Sequence, residues 1–142
     1  MYDLILKKFN ERKDNPVDVL VVGLGFVSFG FLSSIQTLPG IRVPLVITRR
    51  PSQAKEYLEK KGSKAQIESN PSKIKDYANR GYICISDDLG LIKTFDNEVV
   101  IEMTGTVAYG AEAAVAALSA KKHLVNMNPE LQATVGQELK AL

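Results

Sequence analysis

The sequence holds a single cysteine, Cys84, which excludes an internal disulfide framework and a zinc site built from cysteines. A large excess of either charge is also missing. The formal net charge is +2 with 24% charged residues, which argues against a dedicated nucleic-acid surface. A hydrophobic content of 45% argues against disorder. No apolar run reaches the length of a membrane span. Met1 to Asn10 carries a few apolar residues at helical spacing and then charge, so no secretory leader is read and the default compartment is the cytoplasm. Internal repeats and low-complexity linkers are missing too. What remains is a chain of 142 residues expected to form one globular domain, large enough to bury a real core.

Within those bounds the chain alternates between strand and helix patterns. Leu4, Ile5 and Phe9 among lysines predict a leading amphipathic helix within residues 1–15, ended before Pro16. Val17–Val22 reads as a buried strand and Phe26–Leu38 as a helix stopped by Pro39-Gly40. Ile41–Ile47 is a second strand, rich in β-branched residues, followed by a helix over Ser52–Lys61. Ser63–Pro71 is a polar connection and Ser72–Asn79 a helix. Tyr82–Ser86 is a strand, with Asp87-Asp88 as the expected N-cap of a helix over Leu89–Lys93. Val99–Glu102 is a buried strand and Ala108–Ala120 an alanine-rich helix. His123–Met127 is a short strand, Asn128–Thr134 a loop, and a last helix begins near Val135. Such alternation calls for right-handed crossovers and a doubly wound parallel α/β sheet with flanking helices, which binds ligands at the carboxyl ends of its strands.

The first of those ends is the most informative. Val17–Val22 runs directly into Gly23-Leu24-Gly25-Phe26-Val27, where a dinucleotide's pyrophosphate lies in a Rossmann-like fold. Gly23 suits the tight strand-to-helix turn, and Gly25 lets backbone approach a phosphate with no Cβ in the way. The following helix offers unpaired N–H groups and the positive end of its dipole. Ser28 stands where the third glycine of the fingerprint is usual, with Gly30 two residues on, and serine is small enough for the helix to pack on the strand.

At the second strand end, Thr48-Arg49-Arg50 replaces the carboxylate that commonly holds a ribose 2′-hydroxyl. A planar guanidinium fork suits a 2′-phosphate, and Thr48 can donate to it, which points to NADP(H) with NAD left open. The bland alternative is a solvated basic turn. Thr104-Gly105-Thr106 is placed to meet the ribose or nicotinamide end, or to serve as a polar turn with Thr106 as N-cap, and both roles can hold.

Glu102 in an apolar strand must find partners, either as a structural hub or facing the crevice. Asn126-Met127-Asn128-Pro129-Glu130 could position a substrate or the nicotinamide; Glu130 alone is weak support for a metal, and none is assigned. His123 reads as a surface residue at a strand start and Cys84 as a small core hydrophobe. Lysines 55, 60, 61, 64, 73 and 75 read as solvated helix faces. No residue has a convincing claim as general acid or base.

Taken in order, these pieces resemble the N-terminal nucleotide-binding domain of homoserine dehydrogenase-like proteins that carry a C-terminal SAF domain. The resemblance runs over essentially the whole chain. It rests on Asn15-Pro16-Val17, Val22-Gly23-Leu24-Gly25 with Gly30, the Ile83–Asp88 stretch, Val99-Val100-Ile101-Glu102-Met103-Thr104-Gly105 and Lys122-His123-Leu124-Val125. Its most specific part is Asn128-x-Glu130-x-x-x-Thr134-Val135-Gly136, which a bare Rossmann domain has no evident need for. More distantly the chain resembles true homoserine dehydrogenases and reductoisomerase-like members of that group.

The resemblance implies an NAD(P)-dependent oxidoreductase acting on a small polar carbonyl or hydroxy compound, with Asn128 and Glu130 facing the hydride-transfer site. Pro129 follows Asn128 where true homoserine dehydrogenases commonly have Lys, which puts homoserine itself in doubt. The chain ends where that group's substrate-binding, dimerising and SAF regions begin. The expectation is therefore one cofactor domain, catalytically incomplete alone, whose partners are a nicotinamide dinucleotide and a small molecule bound by the missing regions. Homo-oligomerisation stays open, and neither nucleic acid nor membrane is expected. Two alternatives stand beside this reading: a non-catalytic nucleotide-binding or regulatory module, and a fold for another nucleoside such as S-adenosylmethionine. Arg49 and Arg50 speak against the latter, since its ribose hydroxyls usually want a carboxylate.

Overall fold

A computed structural model describes all of residues 1–142. The elements in chain order are α1 (Tyr2–Glu11), β1 (Val17–Val22), α2 (Phe26–Ile35), β2 (Ile41–Ile47), α3 (Pro51–Lys60), β3 (Lys64–Ile67) and α4 (Pro71–Asn79). They continue with β4 (Tyr82–Ser86), α5 (Leu91–Thr94), β5 (Val99–Glu102), α6 (Val107–Ser119), β6 (His123–Asn126) and α7 (Pro129–Leu139). All six strands are parallel, in the order β3-β4-β2-β1-β5-β6. The doubly wound sheet expected from the alternation is present.

Strand alternation divides the core into two layers. Val19 and Val21 of β1 face one side, where Leu32 and Ile35 of α2 and Ala54 and Leu58 of α3 close over them. Leu20 and Val22 face the other, under Ile74 of α4, Leu91 and Ile92 of α5 and Ala113 and Ala117 of α6. Leu20, Val22 and Ile47 are wholly buried, and each such side chain stabilises the fold by about 1.5–3 kcal/mol. The alanines of α6 let that helix lie close to the sheet.

One strand breaks the alternation. The β1–β2 register runs Asp18 opposite Arg42 and then Leu20 opposite Leu45, so β2 carries one extra residue at Val43-Pro44. Proline has no N–H for a ladder, and a bulge is how an inner strand tolerates it. Only beyond it, from Leu45, does β2 pair with β4.

Several predicted boundaries shift for visible reasons. The leading helix covers residues 2–11 of the predicted 1–15 segment and ends at Arg12, where the Arg12 and Lys13 N–H groups turn back to the Phe9 and Asn10 carbonyls. α2 stops at Ile35 because the Thr37 and Leu38 N–H groups bond the carbonyls of residues 34 and 35, a tightened turn short of the predicted Leu38. The polar connection of residues 63–71 contains a strand, β3, at the sheet edge, where only Ala65 is buried. A strand with one buried side chain leaves no hydrophobic pattern to read.

Asp88 does not cap a helix at residue 89. Its carboxylate accepts from the Gly90 N–H at 2.8 Å, an Asx turn that delays α5 to Leu91. Residues 129–134 of the predicted 128–134 loop are helix: Pro129 opens α7, with Asn128 as a true N-cap accepting from the Leu131 N–H at 3.0 Å.

Candidate functional site

The chain leaves β1 toward β2 on one side and later fills β5 on the other, so β1 and β5 flank the topological switch point. At the carboxyl ends of β1, β2 and β5 lies a cleft of about 260 Å³. Its walls are Gly23-Leu24-Gly25, Thr48-Arg49-Arg50, Met103-Thr104-Gly105 and Tyr109. Nine of these ten residues come from the three loops that the strand-end argument brings together, and the tenth comes from α6.

The two glycines have different physical reasons. Gly23 has φ +95°, and a Cβ there would sit 2.9 Å from the Met103 carbonyl carbon and from the Thr104 nitrogen. The protein itself requires that glycine. Gly25 is extended (φ −140°, ψ −164°), and a Cβ built on it would meet nothing within 4 Å. Nothing in the fold demands glycine there, so the empty space is available to a ligand.

Ser28 explains the missing third glycine. It is wholly buried, and its hydroxyl accepts from the Gly25 N–H at 2.7 Å while donating to the Gly25 carbonyl at 3.2 Å. A glycine would leave the loop without that brace. The first bond within α2 is from Phe29 N–H to the Gly25 carbonyl at 2.9 Å. The first-turn N–H groups of Phe26, Val27 and Ser28 therefore lack intrahelical partners and carry the positive end of the helix dipole. Phe26 and Val27 themselves project outward, 94% and 56% exposed.

Electrostatically the cleft is one-sided: two arginines line it and no carboxylate does. Neither Arg49 nor Arg50 takes part in an ion pair. Arg42, by contrast, is clamped by Asp18 through bonds of 2.6 and 2.7 Å, which hold its guanidinium pKa above the ordinary value. Thr48 is 6% exposed, and its hydroxyl oxygen lies 3.4 Å from the Arg50 N–H that it accepts, which leaves its own proton free to donate. Arg50 also lines a neighbouring hollow with Phe29, Gln53 and Ala54, which Arg49 does not.

Tyr109 and Met103 are wall residues that the sequence reading missed. The Arg49 guanidinium carbon stands 5.2 Å from the centroid of the Tyr109 ring, within cation–π range. Burial raises the Tyr109 phenol pKa, with Asp87 and Glu112 pushing the same way and Arg49 opposing them. The phenol oxygen is enclosed and has no hydrogen-bond partner. The available signal was position: Tyr109 is the lone aromatic of an alanine-rich helix, in its first turn.

Other predicted residues lie off the cleft. Thr106 is the N-cap residue of α6, yet its side chain makes no capping bond. Glu102 is wholly buried and accepts from the Thr104 N–H at 2.7 Å, so it braces the β5–α6 turn as a structural residue. Asn128 is 2% exposed. Besides capping α7, it makes long contacts of 3.5 Å to the Thr104 hydroxyl and 3.4 Å to the Thr106 carbonyl. Part of the Asn128–Gly136 motif thus has a structural use after all, tying α7 to that turn. Glu130 is exposed in the first turn of α7, and no three metal-binding side chains converge anywhere. His123 is an exposed first residue of β6. No helix is long and apolar enough to cross a membrane.

No protein-family model and no curated protein sequence matches the chain. Its backbone does match solved structures. A homoserine dehydrogenase from Thiobacillus denitrificans superposes with a TM-score of 0.68 at 20% identity, over 89% of this chain and 27% of that one. An NDP-N-acetyl-D-galactosaminuronic acid dehydrogenase from Methanosarcina mazei gives 0.54 at 12% identity, over 96% and 33%. A homoserine dehydrogenase from S. aureus gives 0.51 at 17% identity, over 89% and 31%. The chain spans a third or less of the length of each. It is a Rossmann-like α/β domain, the fold it shares with parts of these dehydrogenases.

Proposed function

We propose that the chain is the NADP(H)-binding domain of an oxidoreductase resembling the homoserine dehydrogenase-like, SAF-containing group. The observation that carries this reading is the pair of unpaired guanidinium groups, Arg49 and Arg50, on a cleft with no carboxylate. They stand where an NAD-preferring site would place an acid. The open space at Gly25 fits the pyrophosphate, since the glycine has no use inside the fold.

In this reading the first-turn N–H groups of α2, at Phe26 and Val27, hold the pyrophosphate against the helix dipole. Arg49 and Arg50 neutralise the adenosine 2′-phosphate in charge-assisted hydrogen bonds, with the Thr48 hydroxyl donating alongside. Thr104 and Gly105 line the path toward the nicotinamide ring, whose chemistry is hydride transfer, and Thr106 would meet it from the start of α6. Asn128 and Glu130 would lie on the substrate side, and other regions would complete the site for the small polar carbonyl or hydroxy substrate.

One observation favours a second reading, a binding module without catalysis: no His, Asp, Glu or Lys lines the cleft. Turnover of NADPH by the chain joined to its complementary regions would exclude it. For the main reading the direct variant is Arg49→Asp. It is expected to lower the NADPH-over-NADH affinity ratio at least about tenfold (about 1.4 kcal/mol), and an unchanged ratio would remove Arg49 from the 2′-phosphate site.

A further inference from the structure

Arg49 is exposed, lacks an acidic partner and sits at the end of β2, conditions under which an arginine normally samples many rotamers. Its guanidinium instead lies against the Tyr109 ring of α6, 5.2 Å from the ring centroid. That face is supplied from the far side of the cleft, across the switch point. Contact with a π face leaves the N–H edge of a guanidinium free to grip an anion, whereas a carboxylate partner would occupy that edge.

Tyr109 gains nothing from its own polar atom, for the phenol oxygen is enclosed without a partner. The ring is therefore the part of the side chain that is used. Phe29, another aromatic near this end of the sheet, is already stacked on Tyr57 at 3.6 Å and lines the adjacent hollow on the Arg50 side. The two arginines are thus unequal: Arg49 has an aromatic platform and Arg50 has none.

We infer that Tyr109 is the positioning residue that makes Arg49 a phosphate reader, so that α6, and not the β2 loop alone, sets the choice between NADPH and NADH. The inference rests on the NADP(H) reading above and adds a residue in another element. A platform acts only through Arg49. Its loss should weaken the phosphate-bearing cofactor selectively, while a merely structural residue would weaken both cofactors together.

The test titrates the full chain with NADPH and with NADH, for wild type, Tyr109→Phe and Tyr109→Leu, each alone and combined with Arg49→Ala. Tyr109→Phe keeps the ring and should keep the NADPH/NADH affinity ratio within about twofold of wild type. Tyr109→Leu should lower it about five- to tenfold, with NADH affinity unchanged, as expected for a cation–π contact of ordinary strength. In the Arg49→Ala background the leucine change should have no further effect on the ratio. If Tyr109→Leu does not fold, Tyr109→Met replaces it in the same comparison.

A wild-type ratio that survives the loss of the ring overturns the role of Tyr109 while leaving the NADP(H) reading intact. Equal losses for NADPH and NADH also overturn it, in favour of a structural residue. A wild-type chain without NADPH preference overturns both.

Discussion

Gly23 and Met103 meet backbone to backbone at the switch point: a Cβ on the glycine would stand 2.9 Å from the Met103 carbonyl oxygen. The loop after β1 and the turn after β5 are therefore in contact before any ligand arrives, and two walls of the cleft are held in fixed relation. Gly23→Ala must both adopt φ +95° and push backbone aside. It is expected to destabilise the fold by about 2–4 kcal/mol, read from urea unfolding. Gly25→Ala is its control. With extended backbone and free space around it, stability should change by less than about 1 kcal/mol while NADPH affinity is lost. A Gly25→Ala variant that binds NADPH normally would show that no phosphate approaches that position.

Asn128 gives a second test of what is structural. Its side chain caps α7 from a buried position. Asn128→Ala should cost about 1–2 kcal/mol of stability, as for other side-chain N-caps. Asn128→Asp keeps the acceptor and should recover most of it. A stable alanine variant would free Asn128 for the substrate-side role alone.

Cys84 makes a prediction about pH. Burial is the main cause of its thiol pKa rising to about 11 from an ordinary 9.0, with Glu68 adding to the rise and Arg80 opposing it. The folded protein then binds the proton more tightly than the unfolded chain. That contribution to stability is complete below about pH 9 and is lost as pH rises through the folded value. At pH 8 the thiol should resist alkylation in buffer and react only in denaturant. Reaction of the native protein at pH 8 would contradict the burial of β4 in the sheet.

Much of this was legible from the amino acids because the decisive signals were local. The four strands at Val17–Val22, Ile41–Ile47, Tyr82–Ser86 and Val99–Glu102 stand as expected, since buried parallel strands are continuous apolar runs. The three cleft loops follow from the same logic, because topology alone brings strand ends together. Edge strand β3 was hidden by having one buried side chain, and α7 by a proline that opens a helix here instead of breaking one. Tyr109 was hidden for a different reason. Its meeting with Arg49 joins residues 60 positions apart across the switch point, and no local pattern records such a pair.

The central claim is that this cleft takes NADP(H) and reads its 2′-phosphate, and one titration addresses it most directly. The wild-type chain is mixed with NADPH and, separately, with NADH, and binding is followed by nicotinamide fluorescence or calorimetry. Saturable binding with NADPH tighter by about tenfold or more (about 1.4 kcal/mol), a margin that shrinks as salt is raised, is the expected result. Tighter binding of NADH would keep the fold and overturn the role of Arg49 and Arg50, and binding of neither would contradict the assignment of the cleft to a nicotinamide dinucleotide.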